Sequence, residues 1–373
     1  MKKSRIGILD GFRGIAILSV LCFHFFSRWT PPNNAISLYP YNNNYDYFTY
    51  GRLGVQFFFI ISGFVIFYTL ENTDKFKLFW KKRLIRLWPS IIIVSIITFI
   101  FFNVFDNTFI FPESHYSRNF LPSLTFIIPG FFNAICSKPH YFGYINGVYW
   151  SLWPEIQFYF FVSILFYANK EQFLRNFIFV SFPLMIINAF FLHVIGGGHK
   201  FHFDVPAVLT NFYQTWIMNI FNLVLYLPAF AIGIFIYQLF KSKNDNVFPS
   251  LFIKISIGVL LLFFIYSGEN MAIRIIYFFM FLLFVCFVYF PDKLSFLENK
   301  LMLRIGVCSY FLYLIHENIA VFIINRLGNY FYPAYFILPL ILVFLMVALS
   351  ILYTENIDRK INSYLKKIFL TKK

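Results

Sequence analysis

Ten apolar runs of roughly bilayer length, joined by short basic connections, leave this chain few ways to fold. About 17–25 predominantly apolar residues cross the hydrocarbon core as one helix, and the backbone in lipid must satisfy its own hydrogen bonds. The runs lie at 7–28, 53–70, 89–105, 149–168, 176–195, 216–239, 250–267, 271–290, 305–324 and 334–354. The chain is 60% hydrophobic and only 13% charged, whereas a soluble domain carries about 25% charged residues. The expected fold is an all-α polytopic membrane protein with about ten transmembrane helices. A single membrane domain is expected over 1–373, with no fused soluble domain.

Lysine and arginine set the expected orientation. With a cytoplasmic N-terminus, 23 of them fall in the inner segments and 7 in the outer ones. That bias places both termini in the cytoplasm. It also accounts for the formal net charge of +15, so the basicity points to membrane topology and not to nucleic acid. The opening Met1-Lys-Lys-Ser-Arg5 looks like the start of a signal peptide. The segment behind it carries Asp10 and Arg13 and has no small-residue cleavage site, so it reads as a retained span. Four cysteines without a CxxC pair imply no disulfide framework. Residues 74–88 mix Phe76, Phe79, Trp80 and Leu84 with basic side chains and predict an interfacial helix leading into the third span. Residues 106–148 form a long outer loop, broken by Pro122, Pro129 and Gly130. The loops at 29–52 and 196–215, rich in Asn, Pro, Gly and Tyr, are further candidates for a lid or a sugar-contact surface.

Ionisable residues within spans mark functional sites by default. Arg13 and His24 sit in the first span, Glu155 in the fourth and His316 in the ninth. At 1.5 Å per residue, His24 lies roughly 16 Å beyond Arg13 along its helix. Estimated from the span ends, His24, Glu155 and His316 share a depth in the outer half. A carboxylate beside an imidazole fixes its tautomer and stabilises the imidazolium, so His24 with Glu155 can serve as a general base. Arg83 and Arg86, at i and i+3 before Pro89, project from one helix face and suit a phosphate. Bland readings stand beside these. His316 can be a helix–helix hydrogen bonder, and Glu155 a structural partner for an arginine. Arg13 can snorkel or pair with Asp10, and Arg83 with Arg86 can be plain topology anchors. His193, His199, His202 and Asp204 match no standard zinc spacing, so no metal is expected.

The ordered motifs resemble the membrane-bound acyltransferase-3 family of bacterial O-acyltransferases. The first span, LDGFRGIAILSVLCFHF, carries Arg13 and His24 separated by ten residues, and Arg83-Leu-Ile-Arg86 matches an RxxR segment. Trp150-Ser-Leu-Trp-Pro-Glu155-Ile-Gln-Phe-Tyr159 is similar to WSLxxExxFY, and Ser309-Tyr310-Phe-Leu-Tyr313-Leu-Ile-His316 to SYxxYLxH. The resemblance covers about residues 6–357. Members often close on a Glu soon followed by Pro; Glu355 lacks that Pro and receives no role. The resemblance implies a multi-pass protein of the bacterial inner membrane. It also implies an acyl-CoA donor, acetyl-CoA above all, and a carbohydrate or glycolipid acceptor such as lipopolysaccharide O-antigen. Arg83 and Arg86, with Arg13, are then expected to hold the donor phosphates. His24, oriented by Glu155, activates the sugar hydroxyl; Tyr159, Ser309, Tyr310 and His316 line the acceptor site. Direct transfer and an acyl-histidine intermediate both remain open. Two rivals also fit the buried charges: a proton-coupled secondary transporter and a non-catalytic partner in polysaccharide assembly.

Overall fold

A computed structural model of the chain describes residues 7–30, 37–40, 46–195 and 205–370. His199, His202 and Asp204 lie outside the described residues. All ten expected runs are helical, and no strand occurs among the described residues. The long helices are α1 (Gly7–Phe26), α2 (Gly54–Glu71), α3 (Phe76–Phe105), α4 (Leu152–Ala168) and α5 (Phe173–Ile195). They continue with α6 (Leu223–Asn244), α7 (Leu251–Tyr266), α8 (Met271–Tyr289), α9 (Lys300–Leu327) and α10 (Ile337–Tyr353). A last helix, α11 (Arg359–Leu370), follows a π-turn at Thr354–Asp358. Among the described residues, eight helices have the length and apolarity to cross a membrane. The two shorter ones are α4, with 17 residues, and α7, with 16. At 1.5 Å per residue these reach about 24–26 Å, just short of a 30 Å hydrocarbon core.

The expected interfacial helix at 74–88 is not a separate element. α3 runs unbroken for 30 residues through Pro89. Proline removes a single N–H from the ladder, and membrane helices tolerate that loss when neighbours compensate. Thirty residues extend about 45 Å, so α3 exceeds the bilayer core by several turns without having to break.

The chain divides into two compact units. The first comprises 1–58, 80–151 and 294–373. Its axis is the pair α1 and α9, which run parallel: Gly7 lies against Glu298, Gly14 against Met302, and His24 against Glu317. Glycine makes the approach possible, because a Cβ on Gly306 would sit 1.8 Å from the Asp10 carbonyl oxygen. The loop at 106–148 belongs to this unit and is broken, as expected, into the short helices Phe120–Thr125 and Pro129–Ile135. Buried polar side chains order it. Asn119 Nδ2 donates to the Glu113 carbonyl at 2.8 Å, and its Oδ1 accepts from the Gly143 N–H at 2.9 Å. Ser123 Oγ accepts from the Ile145 N–H at 3.0 Å.

The second unit comprises 59–79 and 152–293. α6 is its most buried helix, and glycines set its contact with α2. A Cβ on Gly63 would meet the Phe230 carbonyl oxygen at 2.1 Å, and one on Gly233 the Ile60 carbonyl oxygen at 2.1 Å. Beyond that crossing, Glu71 accepts from Tyr237 Oη at 2.7 Å and from Lys241 Nζ at 3.0 Å.

Two predictions follow from this packing. Gly306→Ala must push α1 from α9 and should cost about 1–3 kcal/mol. A lower thermal midpoint is expected, while Gly258→Ala, with nothing within 4 Å of its Cβ, should leave the midpoint unchanged. The second concerns Asp106, just past α3. Burial pushes its carboxyl up, but hydrogen bonds from His115, Thr108 and the Phe111 N–H together hold it below the ordinary 3.8. A depressed carboxyl stabilises fully above the unfolded-state value and loses that contribution as pH falls through the folded one. Protection factors at the Thr108 and Phe111 amides should therefore hold from pH 7 to 5 and collapse only below about pH 4. Loss of protection between pH 7 and 5 contradicts the assignment.

Candidate functional site

Two imidazoles and a carboxylate meet where α1 and α9 lie side by side. His24 Nδ1 lies 2.9 Å from Glu317 Oε1, with the side chains 13% and 6% exposed. The His316 ring stands edge-on to His24, with centroids 5.0 Å apart. Consecutive residues point about 100° apart on a helix. His316 and Glu317 therefore reach the same ring from two directions.

Contacts at the ring nitrogens bear on the tautomers. Glu317 approaches His24 Nδ1 at 2.9 Å, though not in line with the ring N–H as a hydrogen bond; an ionised, acceptor-only carboxylate there favours a proton on Nδ1 and a basic lone pair on Nε2. His316 Nδ1 donates to the Tyr313 carbonyl at 2.8 Å, which leaves its Nε2 as an acceptor. That nitrogen is buried and has no hydrogen-bond partner among the described residues. The Tyr39 hydroxyl donates to the His24 carbonyl and closes the end of α1.

The loop between α3 and α4 clamps the polar face of α9. Asn146 Nδ2 donates to the Leu314 carbonyl at 3.0 Å, and Asn318 Nδ2 donates to Ser114 Oγ at 3.0 Å. The Tyr313 hydroxyl lies 2.8 Å from Ser151 Oγ and donates to the Val148 carbonyl at 3.0 Å. Gly147 gives Glu317 its room, since a Cβ there would lie 3.1 Å from Oε2. These bonds fix the backbone on both sides of His316 and Glu317.

Glu155 is the carboxylate expected beside His24; within the first unit the carboxylate in contact with His24 is Glu317. Glu155 belongs to the second unit, where Ser62 Oγ donates to Oε1 at 2.6 Å and the Tyr159 hydroxyl also donates to it. Glu317 takes the place beside His24. The same signal was available for it, because an ionisable side chain inside an apolar run marks a site.

Other expected site residues fall along the α1–α9 axis. Arg13 Nη1 pairs with Asp10 Oδ1 at 2.7 Å, the structural alternative weighed for it. Arg83 is buried at 7% exposure, while Arg86 is exposed, so the two guanidiniums are not equivalent. The Tyr310 hydroxyl donates to the Leu87 carbonyl at 3.1 Å and fastens the Arg83–Arg86 turn to α9. That bond lies six residues before His316, about 9 Å along the helix. Ser309 Oγ donates to the Gly306 carbonyl at 2.9 Å, within its own helix. Glu355 makes a two-pronged pair with Arg304 at 2.8 and 2.7 Å. No group of three potential metal ligands occurs among the described residues.

This first unit therefore sets guanidiniums near one end of a helix pair and a carboxylate–imidazole pair further along it. Such an arrangement can bind an anionic head and deprotonate a hydroxyl some distance away. The Acyltransferase domain family matches the chain over residues 6–355. Two Staphylococcus aureus proteins are similar at 26% identity. "Putative O-acetyltransferase SACOL0978" of strain COL aligns over 98% of this chain and 58% of its own length. "O-acetyltransferase OatA" of strain NCTC 8325 / PS 47 aligns over 94% of this chain and 57% of its own. The chain thus spans less than two thirds of these relatives. No solved structure matches it.

Proposed function

The chain belongs to the Acyltransferase domain family, and from that premise we propose that it is a membrane O-acyltransferase. It moves an acyl group, acetyl above all, from acyl-CoA to a hydroxyl of a cell-surface carbohydrate or glycolipid. It does so in the cytoplasmic membrane of a bacterium, with both termini in the cytoplasm. The observation that carries the reading is the His24–Glu317 pair at 2.9 Å, built into a chain whose relatives bear O-acetyltransferase names.

In this scheme Arg83 and Arg86, with Arg13, attract the donor's phosphates at the inner surface. The pantetheine arm carries the thioester along the α1–α9 axis to His24. Glu317 holds Nδ1–H, so Nε2 takes the proton of the acceptor hydroxyl. The hydroxyl oxygen forms a bond to the thioester carbonyl carbon, and the carbon–sulfur bond breaks. The proton on His24 then passes to the departing thiolate, giving ester and free CoA. His316, whose Nε2 accepts, suits positioning of the acceptor hydroxyl better than donation to an oxyanion. Glu155 and Tyr159 of the second unit, and Ser309 and Tyr310 of α9, are the further candidates for acceptor binding.

His24→Ala should cut acyl transfer by at least about 10²-fold while the protein still inserts and purifies normally. Release of CoA thiol on adding acceptor provides the assay. Near-normal turnover would remove His24 from the chemistry, and solute flux without acyl-CoA would point to a transporter. The two carboxylates separate by substitution. Glu317→Gln should lower kcat about 10²–10⁴-fold with little change in KM for the donor. A larger kcat loss in Glu155→Gln than in Glu317→Gln returns the orienting role to Glu155. Arg83→Ala with Arg86→Ala should instead raise donor KM about tenfold or more, and an unchanged KM removes their phosphate role.

A further inference from the structure

α11 has two faces that the reaction scheme leaves unused. Ile361, Tyr364, Leu365 and Ile368 recur at i, i+3, i+4 and i+7 and form an apolar stripe. None of the helix is buried, and Tyr364 and Ile368 are 65% and 52% exposed. An exposed apolar stripe flanked by Lys and Arg is the pattern of a helix lying in a membrane surface.

The polar side forms an open groove of about 500 Å³ lined by Asp358, Arg359, Asn362, Ser363, Lys366, Lys367 and Leu370. Three cations against one carboxylate leave it with a net positive lining. Asp358 connects it to α3: Oδ1 accepts from Ser90 Oγ at 3.1 Å, and Oδ2 accepts from Asn362 Nδ2 at 2.8 Å. Ser90 follows Arg86 by four residues and Arg83 by seven, which places all three on one face of α3. Arg86 and Lys366 both act electrostatically on the Asp358 carboxylate. The basic groove and the Arg83–Arg86 turn thus converge on one acid.

The lining is more varied than a simple phosphate needs. Asn362 Oδ1 is a buried acceptor without a hydrogen-bond partner among the described residues, and Ser363 adds a hydroxyl. Acceptors and hydroxyls pair with an exocyclic amine or with ribose hydroxyls, while lysines and arginines pair with phosphates. A nucleotide carries all of these groups at once.

We propose that the groove beside α11 holds the adenosine 3′,5′-bisphosphate head of the acyl-CoA donor, with Lys366 and Lys367 on its phosphates and Asn362 on its amine or hydroxyl groups. The proposal rests on the donor assigned above. The apolar stripe on the bilayer keeps this groove level with Arg86, so the head is gripped from two helices.

The test is equilibrium binding of CoA and of dephospho-CoA, which lacks the 3′-phosphate, to the full chain in nanodiscs of neutral phosphatidylcholine. The wild type should prefer CoA. Lys366→Gln with Lys367→Gln should weaken CoA about tenfold or more and erase the preference over dephospho-CoA. Lys366→Arg with Lys367→Arg should restore both. Lys360→Gln, a charge on α11 outside the lining, should bind CoA as the wild type does. CoA affinity within twofold of wild type in the double glutamine variant overturns the proposal. So does a variant that binds CoA normally but has lost only a response to added phosphatidylglycerol, since the groove would then be a lipid headgroup site. Failure of the wild type to bind CoA in any lipid would sink the donor assignment itself, a distinguishable result.

Discussion

The structure depends on how closely α1 and α9 can approach. His24, Glu317 and His316 are polar groups in an apolar setting, where an unpaired charge is strongly disfavoured. They are tolerable only because each finds a partner across or along the helix pair. That requires backbones near contact, and Gly14 and Gly306 supply it. In lipid, packing of small residues is what draws helices together. The same glycines that close the interface therefore set the distance between imidazole and carboxylate.

From this pair the rest of the first unit takes its order. The loop between α3 and α4 spends Asn146, Ser114 and Ser151 on α9 and holds the turn bearing His316 and Glu317 in place. Tyr310 joins the arginine turn of α3 to the same helix. On the proposed function, charge for an anionic head and basicity for a hydroxyl are thus both tied to α9, and a donor with a long arm would engage both. Rigid support of this kind is what a general base needs, because small displacements of the ring cost rate steeply.

Much of this was legible in the sequence. Apolar length alone located all ten long helices, because the bilayer imposes the helix and its approximate size. It did not show that Trp88-Pro89 lies inside one continuous helix, since proline in a long membrane helix is a local cost and not a stop. His24 and His316 were found by rarity, as titratable groups in apolar runs. The carboxylate 2.9 Å from His24, Glu317, is not one that the motifs single out. Which carboxylate meets an imidazole depends on helix neighbours, and the parallel packing of α1 on α9 has no local signature. Depth estimates favoured Glu155, while Glu317, one residue past His316, needed only the 100° turn of the helix to reach His24. The basic tail reads as a topology signal from sequence, because its folding into α11 beside Asp358 depends on the contact of Asp358 with Ser90.

The central claim is that a donor held by its phosphates near Arg83 and Arg86 presents its thioester to a His24 oriented by Glu317. The most direct measurement is a cryo-EM structure of the full chain with a non-hydrolysable acyl-CoA analogue. The account predicts the carbonyl carbon beside His24 Nε2, the Glu317 contact intact, and a continuous passage to the phosphates. A donor bound with its sulfur walled off from His24 would contradict it.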